Sequence, residues 1–262
     1  MENSSRLTTS QDSPITFPPN AFWWLGTIGF LVGIAVVFLV VLLAGTIWYM
    51  LSNHLDIYGL QRAMTAMPGV TIQSIAEVLT IAFIIPVLPT VAKTSLWNIG
   101  FRPLSSRQLW TVLLGTVLMF VLVTPLASLL QTLLHFKTPE EAIAVYTHAA
   151  GWQKAAFAFF GILVAPAFEE ALFRIVLFNA MRKWWGFWAS AIVSSVLFGL
   201  AHAQPPFTAA MWASITFPLM AAGFILCWVY ARTNNAWASF LTHGAFNGLT
   251  FILLLVNPSL AK

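Results

Sequence analysis

Long apolar runs separated by short polar connections organise this sequence. The first, Phe22 to Leu51, is about thirty residues without a charge, more than the roughly 20 that an α-helix needs to cross a bilayer and enough to cross with tilt. It is also too long for the core of a cleaved signal peptide. Six further runs follow, from about Val70 to Val91, Leu109 to Leu134, Ala155 to Met181, Phe187 to Ala203, Phe207 to Tyr230 and Trp237 to Val256. The pattern predicts an all-α fold, a polytopic transmembrane helix bundle of about seven spans. Ahead of it, residues 1–20 are polar, rich in Ser, Thr and Pro, and read as a disordered cytoplasmic tail. Between spans, Thr138-Pro139-Glu140-Glu141 combines an N-cap, a proline at the first helical position and acidic residues in the first turn, which opens a short surface helix.

Composition agrees. Hydrophobic residues make up 59% of the chain and charged residues 8%, with mean hydropathy +0.84, whereas a soluble domain carries roughly 25% charge. A chain of 262 residues has room for about seven spans in one bundle. The net charge is +4, but the twelve basic residues are scattered and form no stripe of the kind nucleic acid requires, so no nucleic-acid partner is expected. They act as topology signals. Arg6, Lys93, Arg102, Arg107, Arg182, Lys183 and Arg232 fall on one side, and Arg62, Lys137, Lys154 and Lys262 on the other; seven against four places the N-terminus in the cytoplasm. Trp23, Trp24, Trp48, Trp110, Trp184, Trp185 and Trp237 fall near span ends, as an aromatic belt does. Cys227 reads as a small core residue.

Ionisable side chains inside spans are costly, so each is a functional-site candidate. They are Glu77, the trio Glu169, Glu170 and Arg174, then His202 and His243, with Asn247 as an uncharged companion. His54, His135 and His148 lie in or beside loops and read as interfacial residues; Glu77 reads as a carboxylate reaching for headgroups or bonding a neighbouring helix. Glu170 and Arg174 stand at i and i+4, the favourable order for an ion pair on one helix face. Glu169 points about 100° away and has no obvious partner on its own helix, which suggests Glu170 held by Arg174 and Glu169 free for chemistry. The predicted hairpin turn, at Trp184-Trp185-Gly186, lies sixteen residues after Glu169 and seventeen before His202, counted to Trp185. Two antiparallel helices folded there bring both side chains to nearly the same depth, ~25 Å from the turn. His243 and Asn247, also i and i+4, share one face of the last span two to three turns beyond Asn234-Asn235.

Three motifs stand in order: Glu169-Glu170-Ala171-Leu172-Phe173-Arg174, Phe198-Gly199-Leu200-Ala201-His202 and His243-Gly244-Ala245-Phe246-Asn247. They resemble the Glu-Glu-x-x-x-Arg, Phe-x-x-x-His and His-x-x-x-Asn pattern of the CAAX-protease and bacteriocin-processing (CPBP, or Abi) family of intramembrane endopeptidases. The resemblance covers roughly Trp152 to Val256, and Leu96 to Arg102 is similar to the family's basic loop. Ile175 departs from it where many members carry glycine. The resemblance divides the chain into the tail (1–20), N-terminal spans and connecting loops (21–150) and a CPBP catalytic core (151–257). It implies Glu169 as the general base activating a water, His202 as its partner, His243 with Asn247 as the oxyanion-stabilising pair, and Glu170 with Arg174 holding the site together. It implies no cofactor, and as substrate a peptide or protein entering from the lipid bilayer of a bacterial cell membrane; family members process prenylated C-termini or bacteriocins, or confer self-immunity. The alternatives are a zinc peptidase with Glu169, His202 and His243 as ligands, although no His-Glu-x-x-His occurs and Asn247 suits hydrogen bonding better; a transporter, although inverted repeats and paired broken helices are not evident; and a non-proteolytic immunity or scaffold protein.

Overall fold

The computed structural model describes residues 15–64, 66–135, 150–203 and 208–256. Among these there is helix and no strand. In chain order the helices are α1 (Trp24–Ser52), α2 (Ile57–Met64), α3 (Met67–Ala92), α4 (Leu96–Ile99), α5 (Ser106–Leu133), α6 (Gly151–Ala201), α7 (Ala209–Thr233) and α8 (Ala236–Val256). Five of them, α1, α3, α5, α6 and α7, are long and apolar enough to cross a membrane, fewer than the seven spans expected. The difference arises because α6, 51 residues long, takes up two of the apolar runs, and the last run forms the 21-residue α8. The expected surface helix at Thr138-Pro139-Glu140-Glu141 lies outside the described residues.

The two limbs of α6 part at Gly186, whose φ of 70° and ψ of −170° are open to a residue without a Cβ. They fold back on one another: Ser194 Oγ donates to the Phe173 carbonyl at 2.9 Å, and the Phe178 and Phe187 rings meet edge to face. The turn predicted at Trp184-Trp185-Gly186 is therefore the turn observed.

Polarity is distributed as a bilayer demands. The outward faces carry exposed Leu39, Val40, Leu43, Ile47, Leu113, Val121, Ile192 and Leu253, while Glu77, Glu170, Arg174, Ser194, Thr242 and His243 are buried inside. The tryptophans assigned to the aromatic belt are exposed, and Cys227 is buried in the core. One apolar cluster joins α1, α3, α6 and the Cys227–Tyr230 stretch of α7; a second joins α5, α7 and α8 through Met119, Val123, Leu226, Val229 and Ala238.

Two connections set the depth of α8. Gly100, at φ 111°, accepts from Ala236 N at 2.9 Å, and Asn235 Nδ2 donates to the Arg102 carbonyl at 3.0 Å. Asn235 Oδ1 then accepts from Trp237 N at 2.9 Å, capping α8. Behind this turn, buried Tyr230 donates to the Ile99 carbonyl at 2.8 Å and accepts from Asn179 Nδ2 at 2.6 Å. Residues 1–14 of the expected tail lie outside the described residues. From Ile15 onward the chain is packed, not free: Ile15 N donates to Asn234 Oδ1, Phe22 N to the Val91 carbonyl, and Lys183 Nζ to the carbonyls of Pro19 and Ala21.

Candidate active site

Glu169 closes a short α-helical stretch, Ala165–Glu169, between two π-helical ones, Phe160–Val164 and Glu170–Phe178. A π turn widens the helix and leaves carbonyls without their usual i+4 donor, a feature concentrated at functional sites. Despite the wider turn, the i, i+4 pairing expected of Glu170 is present: Arg174 Nη1 stands 3.2 Å from Glu170 Oε1, with both side chains buried. Arg174 also donates from Nη2 to the Gly223 carbonyl at 3.3 Å, and its guanidinium lies over the Phe198 ring, 4.3 Å from the centroid. The motif phenylalanine is thus a lid on the motif arginine.

Around Glu169 the other two motifs converge. His202 Nε2 is 3.5 Å from Glu169 Oε1, and His243 Nε2 is 3.7 Å from Glu169 Oε2. Both distances are longer than the usual hydrogen bond and bring each ring against the carboxylate. The other nitrogen of each ring is engaged: His202 Nδ1 lies 2.8 Å from the Phe198 carbonyl, and His243 Nδ1 lies 3.0 Å from Glu170 Oε1. A carbonyl or a carboxylate only accepts, so both Nδ1 atoms are donors and both Nε2 atoms face Glu169. Glu169 Oε2 is buried and accepts no hydrogen bond among the described residues. Side-chain exposure falls from 31% at His202 to 17% at Glu169 and 8% at His243, so the cluster opens on the His202 side.

Asn247 is placed differently. Its Nδ2 donates to the Gly161 carbonyl at 2.8 Å, inside the first π stretch, which spends one of its two N–H groups. Glu77, on α3, is buried and accepts from Gln73 Nε2 at 2.9 Å on its own helix. It bonds within its helix rather than reaching headgroups. His54 and His135 are exposed, apart from the cluster, and His148 lies outside the described residues. Sequence reasoning did not find the carbonyls of Phe198, Gly161 and Gly223, which orient His202, Asn247 and Arg174; backbone acceptors leave no signal in residue type. Among the described residues, no three His, Cys, Asp or Glu side chains are grouped so as to hold a metal ion.

Fold and site together define a class, a multi-pass helical membrane protein with carboxylates and imidazoles gathered in its interior. Residues 150–249 match the family model described as type II CAAX prenyl endopeptidase Rce1-like. YdiL of Bacillus subtilis (strain 168), whose name proposes a membrane peptidase, is 30% identical over 93 residues, 36% of this chain and 34% of that protein. YxdF of Lactococcus lactis subsp. lactis (strain IL1403), whose name states no activity, is 34% identical over 87 residues, 32% of this chain and 42% of that protein. The match therefore spans well under half the length of either relative. No solved structure matches.

Proposed function

We propose that the chain is an intramembrane endopeptidase of CAAX type that hydrolyses a peptide bond with a glutamate-activated water. The observation that carries this reading is Glu169 flanked by the Nε2 atoms of His202 and His243 at 3.5 and 3.7 Å, deep in an apolar bundle. When the His202 ring is neutral, with Nδ1–H bound to the Phe198 carbonyl, its Nε2 and Glu169 Oε1 are both acceptors. A water seated beside Glu169 on the open His202 side donates one hydrogen to the carboxylate and turns its lone pairs toward a carbonyl carbon. As the O–C bond forms, the water's proton passes to Glu169, which returns it to the leaving amine when the C–N bond breaks. The oxyanion is met by the second N–H of Asn247, oriented by the bond of the first to Gly161, and by His243 Nε2 when that ring carries both protons. Glu170 and Arg174 hold the frame: Glu170 fixes His243, and Arg174 offsets Glu170's charge.

The substrate is a peptide or protein reaching the site from the bilayer, which suits a cluster opening at His202. Relatives from two bacteria support a bacterial cell membrane, and the excess of basic residues on one side supports a cytoplasmic N-terminus. Family resemblance makes peptide or bacteriocin processing and self-immunity the roles to test. The experiment is comparative peptidomics of membranes carrying wild-type protein or Glu169→Gln, which keeps shape and removes the base. Products present with wild type and absent with a normally folded Glu169→Gln are expected, unchanged by strong chelation. Cleavage by the folded variant would exclude Glu169 as the base; loss in chelator restored by zinc would favour metal catalysis.

A further inference from the structure

Glycines stand beside both site histidines in the sequence, Gly199 three residues before His202 and Gly244 directly after His243. Each meets the backbone of a π turn on a neighbouring helix. A Cβ on Gly244 would lie 2.8 Å from the Ile162 carbonyl oxygen, within Phe160–Val164, the stretch whose Gly161 carbonyl is bonded by Asn247. A Cβ on Gly199 would lie 2.6 Å from the Thr216 carbonyl oxygen, which ends the π stretch Trp212–Thr216 of α7. It would also lie 2.6 Å from Met220 Cγ and 3.2 Å from Met220 N. Backbone cannot swing aside as a side chain does, so a methyl group here moves one helix against the other. Gly248, one turn beyond Gly244 on the same face, faces only the Ile162 side chain at 3.7 Å, an ordinary contact.

We propose that Gly199 and Gly244 are positioning residues of the candidate site, each seating a histidine-bearing helix against a carbonyl of a π turn. The proposal rests on reading Glu169, His202 and His243 as one site. Close backbone approach through glycine is the usual means of tight helix packing in membranes. What sets these two apart is their partners, the π turns. The first lies ahead of Glu169 on the same helix, so a single stretch of backbone sets both the direction of Glu169 and the seat of α8, through Gly244 and Asn247. The second seats the limb that ends at His202. The two rings stand 3.5 and 3.7 Å from Glu169, and displacement by roughly 1 Å is enough to spoil such a geometry.

The test reads the rings directly and needs no substrate. Full-length protein with ¹⁵N-labelled histidine is prepared in detergent micelles as wild type, Glu169→Gln, Gly199→Ala, Gly244→Ala and Gly248→Ala, with ring signals assigned by His202→Gln and His243→Gln. Glu169→Gln defines the shift that accompanies loss of the carboxylate. Gly199→Ala is expected to fold and to move the His202 ring signals by at least that much. Gly244→Ala should do the same to His243, while Gly248→Ala leaves both rings as in wild type. Rings unmoved in either folded glycine variant would overturn the proposal. So would a Gly248→Ala shift equal to that of Gly244→Ala, or loss of the fold in Gly199→Ala or Gly244→Ala, since the glycines would then serve general packing. Hydrolysis plays no part in the readout, so the failure of the peptidase reading and the failure of this one are separately visible.

Discussion

Arg174 is fully buried, its side chain enclosed by Glu170, the Gly223 carbonyl and the Phe198 ring. Arg174→Met should therefore leave Glu170 as a buried carboxylate with only His243 against it, at a cost of about 3–5 kcal/mol. Removing the partner as well, in Arg174→Met with Glu170→Met, should restore part of the loss, because an apolar pair of similar volume carries no desolvation penalty. Unfolding of the purified variants by heat or denaturant checks both. Equal stability of wild type and the single variant would show that the pair is not the frame of the site. At this scale the sequence was informative about partners on one helix and silent about partners across helices. The spacing of Glu170 and Arg174 announced their ion pair, whereas the contact of His243 with Glu170 depends on how α8 is rotated against α6, which residue types alone do not specify.

Among the elements, α4 and the loop after it decide where α8 begins, and Gly100 carries that junction. Its φ of 111° is strained for any other residue, and an added Cβ would stand 3.0 Å from Ala236 N and from the Asn234 carbonyl oxygen. Gly100→Ala is expected to cost at least about 1–3 kcal/mol, from backbone strain before any clash is counted. A lowered midpoint of thermal unfolding checks this; an unchanged midpoint would mean that the loop yields freely and does not hold α8. The hairpin of α6 was legible because an apolar run is broken by Trp184-Trp185-Gly186, with aromatic residues that seek the interface and a glycine that permits the turn. The π stretches were not. A helix apolar on most of its surface has no stripe whose drift would betray an extra residue in a turn, so the widening at Phe160–Val164 and Glu170–Phe178 became visible only in three dimensions.

For the molecule as a whole, the segment before α1 ties its ends together. Ile15, Phe17 and Phe22 join the cluster formed by α1, α3, α6 and α7, while Ile15 N, Phe22 N and Lys183 Nζ bond across three connections. Phe22 is buried and packs edge to face on Phe17. Phe22→Ala should cost about 3–5 kcal/mol, the usual result of emptying a buried aromatic site. A variant as stable as wild type in the same detergent would mean that the strap is ornamental. The polar composition of residues 1–20 hid this docking, since a few apolar side chains among serines and prolines look like tail until the surface that receives them is known.

What the sequence determined by itself follows from solvent. A bilayer offers no hydrogen bonds, so long uncharged runs must be helices, and the rare ionisable groups within them must face inward. The class of fold, the burial of Glu170, Arg174 and His243, and the common depth of Glu169 and His202 all come from that rule together with a rise of about 1.5 Å per residue. Tertiary structure decided what spacing along one chain cannot carry: the rotation of α8 that lays His243 between two carboxylates, the π turns that free carbonyls for Asn247 and for the glycine contacts, and the docking of residues 15–22. Each depends on close packing between elements distant in sequence, where shifts below an ångström determine which atoms meet, and hydrophobic periodicity holds no information at that resolution.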